Sequence, residues 1–306
     1  MIQEYYSNGK LLISGEYVVL EGAKAFALPT QYGQSLTVKE NNSNIISWTS
    51  YDVDGQVWMK EEVAISDIYG IESIPSGSNY YQTLVEVLRA AHKQNPAICV
   101  EGKGYEVVSK LTFPRLWGLG TSSTWINNVA QWFDINPYQL LQESFGGSGY
   151  DIACARYNTG VFYTLTDLYK PKVDLIDFKP PFANNIYFVY LNQKKSSKEA
   201  IANFRAQKSL ISEQVKRISE ISVEMSMCTE LIDFMNLMNE HEAVMSQILK
   251  VPTVKESLFN DFNGSIKSLG GWGGDFVMVA TTENPKDYFK SKGYEIMIKY
   301  TDMIIF

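Results

Sequence analysis

The sequence predicts an α+β fold in two domains. Two observations carry this: strand-like segments dominate residues 5 to 60, and helical periodicities dominate residues 199 to 262 before further strands. A third, the proline-rich stretch Tyr169 to Ala183 with Pro171, Pro180 and Pro181, marks the break between them. The expected domains are therefore 1–175 and 176–306. At 306 residues the chain is long enough for two cores.

In chain order, Lys10 to Leu20 is apolar and β-branched, broken at Ser14-Gly15-Glu16, with a turn at Glu21-Gly22. Gln34 to Val38 and Ile45 to Ser50 follow as strands. Asp52 to Gly55 is a turn, and Gln56 to Lys60 pairs back as a hairpin. After the breaker cluster Pro75 to Asn79, Tyr81 to Gln94 has helical spacing through Leu84, Val85, Leu88 and Ala91. Tyr105 to Ser109 is a strand. Ser122 to Phe133 is a helix, and Asn136 caps another that starts at Pro137. Val161 to Leu165 and Ile186 to Leu191 are strands. Helices are expected from Glu199, over Ile211 to Met225, Thr229 to Leu249 and Val254 to Phe262. Strand Phe276 to Ala280 and a terminal helix and strand close the chain.

Charge and composition narrow the function. The net charge of -7 argues against nucleic acid or an anionic membrane surface as the main partner. No apolar run reaches bilayer-spanning length, and the N-terminus lacks the basic and apolar regions of a signal peptide, so a cytoplasmic protein is expected. The three cysteines, Cys99, Cys154 and Cys228, have no metal-ligand spacing and read as free thiols. His92 and His241 fall in helical runs and suggest no triad.

The chemistry lies in three glycine clusters. The most informative is Trp117-Gly-Leu-Gly-Thr-Ser-Ser-Thr124. Two glycines let the backbone approach an anion, and a helix N-terminus follows, which is a phosphate cradle. Four hydroxyls there could cap the helix, bond phosphate or ligate Mg²⁺. No Gly-Lys-Ser/Thr closes it, so it is not a Walker loop. The others are Gly146-Gly-Ser-Gly-Tyr-Asp151 and Gly270-Gly-Trp-Gly-Gly-Asp275. Phosphoryl transfer needs positioning, a cation on developing charge and a carboxylate near the attacking hydroxyl. Asp151 is the best carboxylate and Lys10 the best isolated cation. A helix-dipole charge and a solvated strand lysine are the bland alternatives.

Gly9-Lys10 through Gly22 resembles the first motif of the GHMP kinases, the kinases of galactose, homoserine, mevalonate and phosphomevalonate. Trp117 to Thr124 resembles their second motif and Gly270 to Asp275 their third, in the family's order. The resemblance implies a ribosomal-protein-S5-like N-terminal domain and a ferredoxin-like C-terminal domain, with ATP and Mg²⁺ in the cleft between them. It implies that Gly118, Leu119, Gly120, Thr121, Ser122, Ser123, Gly271, Gly273 and Gly274 surround the nucleotide. Lys10 and Asp151 would be catalytic. Ser122 or Ser123 would ligate Mg²⁺, and Glu143 lies where many members place a metal-binding glutamate. Glu16, Ser148, Gly149, Ser197, Lys198 and Asp275 would face a small-molecule substrate.

Gly146 to Ala155 and Gly273-Gly-Asp275 look more like phosphomevalonate kinases than mevalonate kinases. A phosphorylated acceptor would need cations; Lys194, Lys195, Lys198 and Arg156 are candidates. Trp117 and Trp272 depart from the family pattern, where smaller residues are usual. Mevalonate kinase, another GHMP kinase, a decarboxylase of the same fold and a non-catalytic homologue are the alternatives. Oligomeric state is left open.

Overall fold

The computed structural model describes residues 2–70, 73–74, 76–193, 204 and 212–305. Seven strands build the first sheet: β1 (Ile2–Ser14), β2 (Ala25–Asn41), β3 (Ile45–Tyr51), β4 (Val57–Ala64), β5 (Gly104–Leu111), β6 (Gly160–Thr164) and β7 (Lys172–Ile176). Their order is β4-β3-β5-β2-β6-β7, with β1 also paired to β2. All pairings are antiparallel except β3 with β5. A parallel pair needs a crossover, and here it carries β4 and helices α1 (Ile65–Tyr69) and α2 (Asn79–Gln94).

Helices α3 (Thr121–Phe133), α4 (Pro137–Ser144) and α5 (Tyr150–Arg156) follow. With α2 they bury one face of the first sheet through residues such as Trp48, Val107, Ile126, Val129 and Ile152. The α4 start follows the sequence: Asn136 accepts hydrogen bonds from the Tyr138 and Gln139 amides, and Pro137 occupies the first turn.

The second sheet has the order β11-β8-β10-β9, all antiparallel: β8 (Ile186–Tyr190), β9 (Ser265–Ser268), β10 (Phe276–Ala280) and β11 (Met297–Lys299). Helices α6 (Ser212–Met227), α7 (Leu231–Leu249), α8 (Val254–Leu258), α9 (Lys286–Ser291) and α10 (Tyr300–Met303) accompany it. β8 is apolar throughout because both its faces are covered. Ile186, Phe188 and Tyr190 join a core with Leu11, Ile13, Phe26 and Leu28 of the first sheet and with α6 and α7. Tyr187 and Val189 face the opposite way, towards Phe259, Phe262 and Phe289. One continuous core thus binds the two sheets.

Two expectations change, and one segment left unassigned gains an element. The proline-rich stretch is not all linker: Lys172–Ile176 pairs with β6 as an edge strand whose exposed charges suit that position. The run from Val254 stays helical only to Leu258, because Phe259 leaves helical geometry. Gly146 to Arg156 closes with a short helix that opens at Gly149, whose φ of 88° lies in the left-handed region. The helix expected from Glu199 falls outside the described residues.

Candidate functional site

The phosphate-type loop sits at the junction of the two halves. Gly118 and Gly120 take positive φ (69° and 98°), and Gly120 is the residue from which α3 starts. Among the described residues no side chain caps that start. The first amides of α3 therefore point outward without a capping oxygen, which is the arrangement that receives an anion. Fully buried Leu119 anchors the loop. Positive φ is one reason for Gly118; another is that a Cβ there would collide with the Asp275 carboxylate.

Lys10 holds the loop from below. Its amide donates to the Leu119 carbonyl at 2.9 Å, and its Nζ donates to the Gly118 carbonyl at 3.1 Å. Gly9 makes this approach possible, since a Cβ there would lie 2.9 Å from the Leu119 carbonyl oxygen. The Lys10 ammonium also stands 5.6 Å from the centre of the Tyr150 ring, within cation–π range. Lys10 is a buried lysine, not a solvated strand-edge residue.

Asp151 lies in the first turn of α5, next to Tyr150. Its Oδ1 is buried and lacks a hydrogen-bond partner among the described residues. A buried carboxylate oxygen left bare is costly, so a donor is expected to reach it in the working state. Burial pushes the neighbouring Tyr150 phenol far above its ordinary range, and the adjacent Asp151 carboxylate adds to this. The Cys154 thiol, one helical turn on, is likewise pushed up by burial. Both stay protonated at neutral pH.

The hydroxyls of the loop differ. Ser123 is buried and donates to the Gly120 carbonyl at 2.8 Å; Ser122 is exposed and has no hydrogen bond among the described residues. Thr121 opens the helix and is half-buried. Glu143 is exposed on α4, with its carboxylate taken by Gln139 Nε2 at 2.9 Å. The structure records no contact from Glu143 to Ser122, Ser123 or Asp151. Among the described residues no three His, Cys, Asp or Glu side chains converge as a metal cluster.

The third glycine cluster joins the loop from the second sheet. Gly270 and Gly273 take positive φ, as does Asp275 at 45°. The Trp272 amide donates to the Tyr17 hydroxyl at 2.8 Å, and the Trp272 indole donates to the Pro252 carbonyl at 3.1 Å. The Gly274 amide closes a turn onto the Gly271 carbonyl. The Asp275 backbone is held by Gln193 and Leu191. Ser148 accepts from the Tyr163 hydroxyl through its carbonyl, and buried Gly149 follows it. Lys10, the 117–124 loop and Asp275 are thus linked through contacts, and Asp151 follows Tyr150, whose ring Lys10 faces. Ser197 and Lys198, with Lys194 and Lys195, lie outside the described residues.

Glu16, expected to face substrate, is instead 2% exposed and engaged: Lys267 Nζ donates to its Oε1 at 2.6 Å, and His241 Nε2 lies 3.2 Å from its Oε2. Burial alone would raise its carboxyl, but the Lys267 and His241 charges and hydrogen bonds outweigh this and hold it at about 2. Lys267 and His241 are both fully buried, so His241 is a core residue. The ion pair ties the first motif to β9 and α7.

Sequence reasoning misses several neighbours. Lys267 is a lone lysine in a four-residue strand, and its inward position is the only signal it offers. Trp58, Tyr80 and Arg115 form an aromatic–guanidinium cluster just before the loop: Arg115 lies 5.2 Å from the Trp58 ring centre and donates to the Tyr80 hydroxyl at 2.9 Å. Trp58 Nε1 and Arg115 Nε are buried without hydrogen-bond partners among the described residues. Trp117 now has a place. It packs against Tyr32, Tyr190 and Phe276 with ring centres 5.7, 6.2 and 5.5 Å away, joining the loop to the second sheet.

The architecture is the GHMP kinase fold. The mevalonate kinase of Methanococcus jannaschii aligns over 96% of this chain and 95% of its own, at 18% identity and a TM-score of 0.70. The phosphomevalonate kinase of Streptococcus pneumoniae, solved in complex with phosphomevalonate and AMPPNP, aligns over 97% and 99%, at 14% identity and a TM-score of 0.69. The galactokinase of Lactococcus lactis, complexed with galactose, aligns over 95% and 88%, at 13% identity and a TM-score of 0.63. No protein-family profile matches the sequence, and no curated protein sequence matches it.

Proposed function

We propose that this protein is an ATP- and Mg²⁺-dependent small-molecule kinase acting on a hydroxyl of a mevalonate-pathway acceptor, with 5-phosphomevalonate the preferred candidate. The observation that carries it is the pairing of an uncapped α3 N-terminus, braced by Lys10, with the unpartnered Asp151 Oδ1. The phosphomevalonate-like details of Gly146 to Ala155 and Gly273 to Asp275 support the acceptor, as does the similarity to the Streptococcus pneumoniae enzyme, which was solved with phosphomevalonate and AMPPNP.

The residues fit the cofactors. The amides of Thr121, Ser122 and Ser123 suit phosphate oxygens, and Gly271, Gly273 and Gly274, whose cluster reaches the loop through Asp275, would complete the nucleotide site. The free Ser122 hydroxyl is the better metal ligand of the two serines, since Ser123 is committed to Gly120. When bound, ATP supplies the phosphoryl group and Mg²⁺ neutralises charge on its oxygens.

The chain's own groups do the rest. Asp151 Oδ1 accepts a hydrogen bond from the acceptor hydroxyl, orients it and would take its proton as the phosphoryl group passes to that oxygen and ADP leaves. Lys10 places positive charge beside that hydroxyl and the phosphate loop, lowering the cost of developing negative charge. Ser148, Gly149 and Asp275 would contact the acceptor in this reading.

A coupled ADP-release assay tests this with mevalonate, 5-phosphomevalonate, homoserine and sugars. Turnover dependent on 5-phosphomevalonate supports the reading; no acceptor-dependent turnover on the panel rejects the substrate class. CO₂ release in the same assay would indicate a decarboxylase. The Trp58–Tyr80–Arg115 cluster is the natural platform for the nucleotide base. Trp58→Ala is therefore expected to weaken AMPPNP binding by roughly tenfold, since stacking on a base contributes about 1–3 kcal/mol. Calorimetric titration measures it, and unchanged affinity would place the base elsewhere.

A further inference from the structure

A seam of buried polar side chains runs between α3 and the first sheet. Thr124 Oγ1 donates to Gln34 Oε1 at 2.7 Å. Gln34 Nε2 donates to Ser109 Oγ at 2.6 Å, and the Gln34 carbonyl accepts from Asn128 Nδ2 at 2.9 Å. Asn128 Oδ1 accepts from Ser7 Oγ at 2.7 Å, and Ser7 Oγ accepts from Asn127 Nδ2 at 2.8 Å. All six residues are buried, and none of their fully buried polar atoms is left unpartnered.

The placement is specific. Thr124, Asn127 and Asn128 share one face of α3 by their spacing. Ser7, Gln34 and Ser109 come from β1, β2 and β5. Apolar contact would bury this face at less desolvation cost, but it is non-directional and leaves a helix free to slide. Hydrogen bonds fix distance and angle. The first bond in the seam, at Thr124, is only one residue past the amides of Thr121 to Ser123. Gln34 is the hub, because it uses three groups to hold two strands and two turns of α3.

We propose that Gln34, acting through Thr124, is a positioning residue that sets the axial register of α3 and so the placement of its anion-binding amides. What those amides bind rests on the kinase reading above. The register claim itself does not. Misplacement of about 1 Å in a positioned group is enough to lose a large part of its effect.

The test compares Gln34→Met, Thr124→Val and Thr124→Ser with the wild-type chain. Hydrogen exchange of the amides from residue 121 to 128 reads the helix start; AMPPNP titration reads the cradle. Gln34→Met and Thr124→Val are expected to speed exchange there and to raise the AMPPNP Kd by about tenfold. Thr124→Ser, which keeps the hydroxyl, should restore both. Phe289→Leu, on the far face of the second sheet, is a control for lost stability alone and should leave Kd unchanged. If the wild-type chain binds no AMPPNP, the kinase reading fails and exchange alone judges the register. Folded Gln34→Met and Thr124→Val proteins with wild-type exchange overturn the proposal. Faster exchange with wild-type Kd also overturns it, because the cradle would not depend on the seam.

Discussion

Asp151→Asn is expected to lower kcat by on the order of 10²–10⁴ while leaving AMPPNP affinity nearly unchanged. The amide fills the same space but cannot take a proton. Among the described residues no hydrogen bond joins Asp151 to the loop amides, so nucleotide binding should survive. Lys10→Met should lower kcat by a similar order, and here affinity should fall too. Lys10 Nζ bonds the Gly118 carbonyl, so its loss frees the loop as well as removing charge. This split between the two variants follows from their different partners. Steady-state kinetics with parallel titration would show it; near-wild-type kcat in both would remove the assigned roles.

Lys267→Met is expected to destabilise the fold by about 3–5 kcal/mol, the cost of stranding one member of a buried ion pair. Glu16 would be left inside the core with His241 as its remaining partner. Adding Glu16→Gln to Lys267→Met should recover much of the loss, because no buried charge is then stranded. Urea unfolding of the single and double variants reads both numbers. A pH dependence follows from the same pair. The Glu16 carboxyl is lower in the folded chain, at about 2, than its unfolded value near 4.5. The unfolded state therefore binds more protons in acid. The stability from Glu16 is full above pH 4.5 and drains away as pH falls towards 2, by about 3 kcal/mol in all. Glu16→Gln should remove that component of the acid slope.

Much of the architecture is legible in the sequence because its elements announce themselves locally. Asn136-Pro137 encodes a helix start in two residues. The apolar run of β8 is readable because both faces are buried. The glycine clusters stand out because positive φ and close approach demand glycine at Gly118 and Gly120. The edge strand β7 is hidden by the prolines that flank it and by its charges, since an edge needs no apolar alternation.

The site is legible only where chemistry and local motif coincide. Lys10 and Asp151 flank glycines and so draw attention. Glu16 also sits beside a glycine, yet its fate is decided by Lys267, 251 positions away. Nothing local signals that partner. Trp117 is opaque for the same reason: Tyr190 and Phe276, which surround it, belong to the other sheet. Gln34 has the composition of an ordinary strand residue, and only the packing of α3 makes it a hub.

The most direct measurement is a crystal structure with AMPPNP and Mg²⁺. The triphosphate is expected on the amides of Thr121, Ser122 and Ser123, with the Ser122 hydroxyl on the metal and Lys10 and Asp151 facing the terminal phosphate. A triphosphate bound away from the α3 N-terminus, or no bound nucleotide at saturating concentration, would contradict a phosphoryl-transfer site in this cleft.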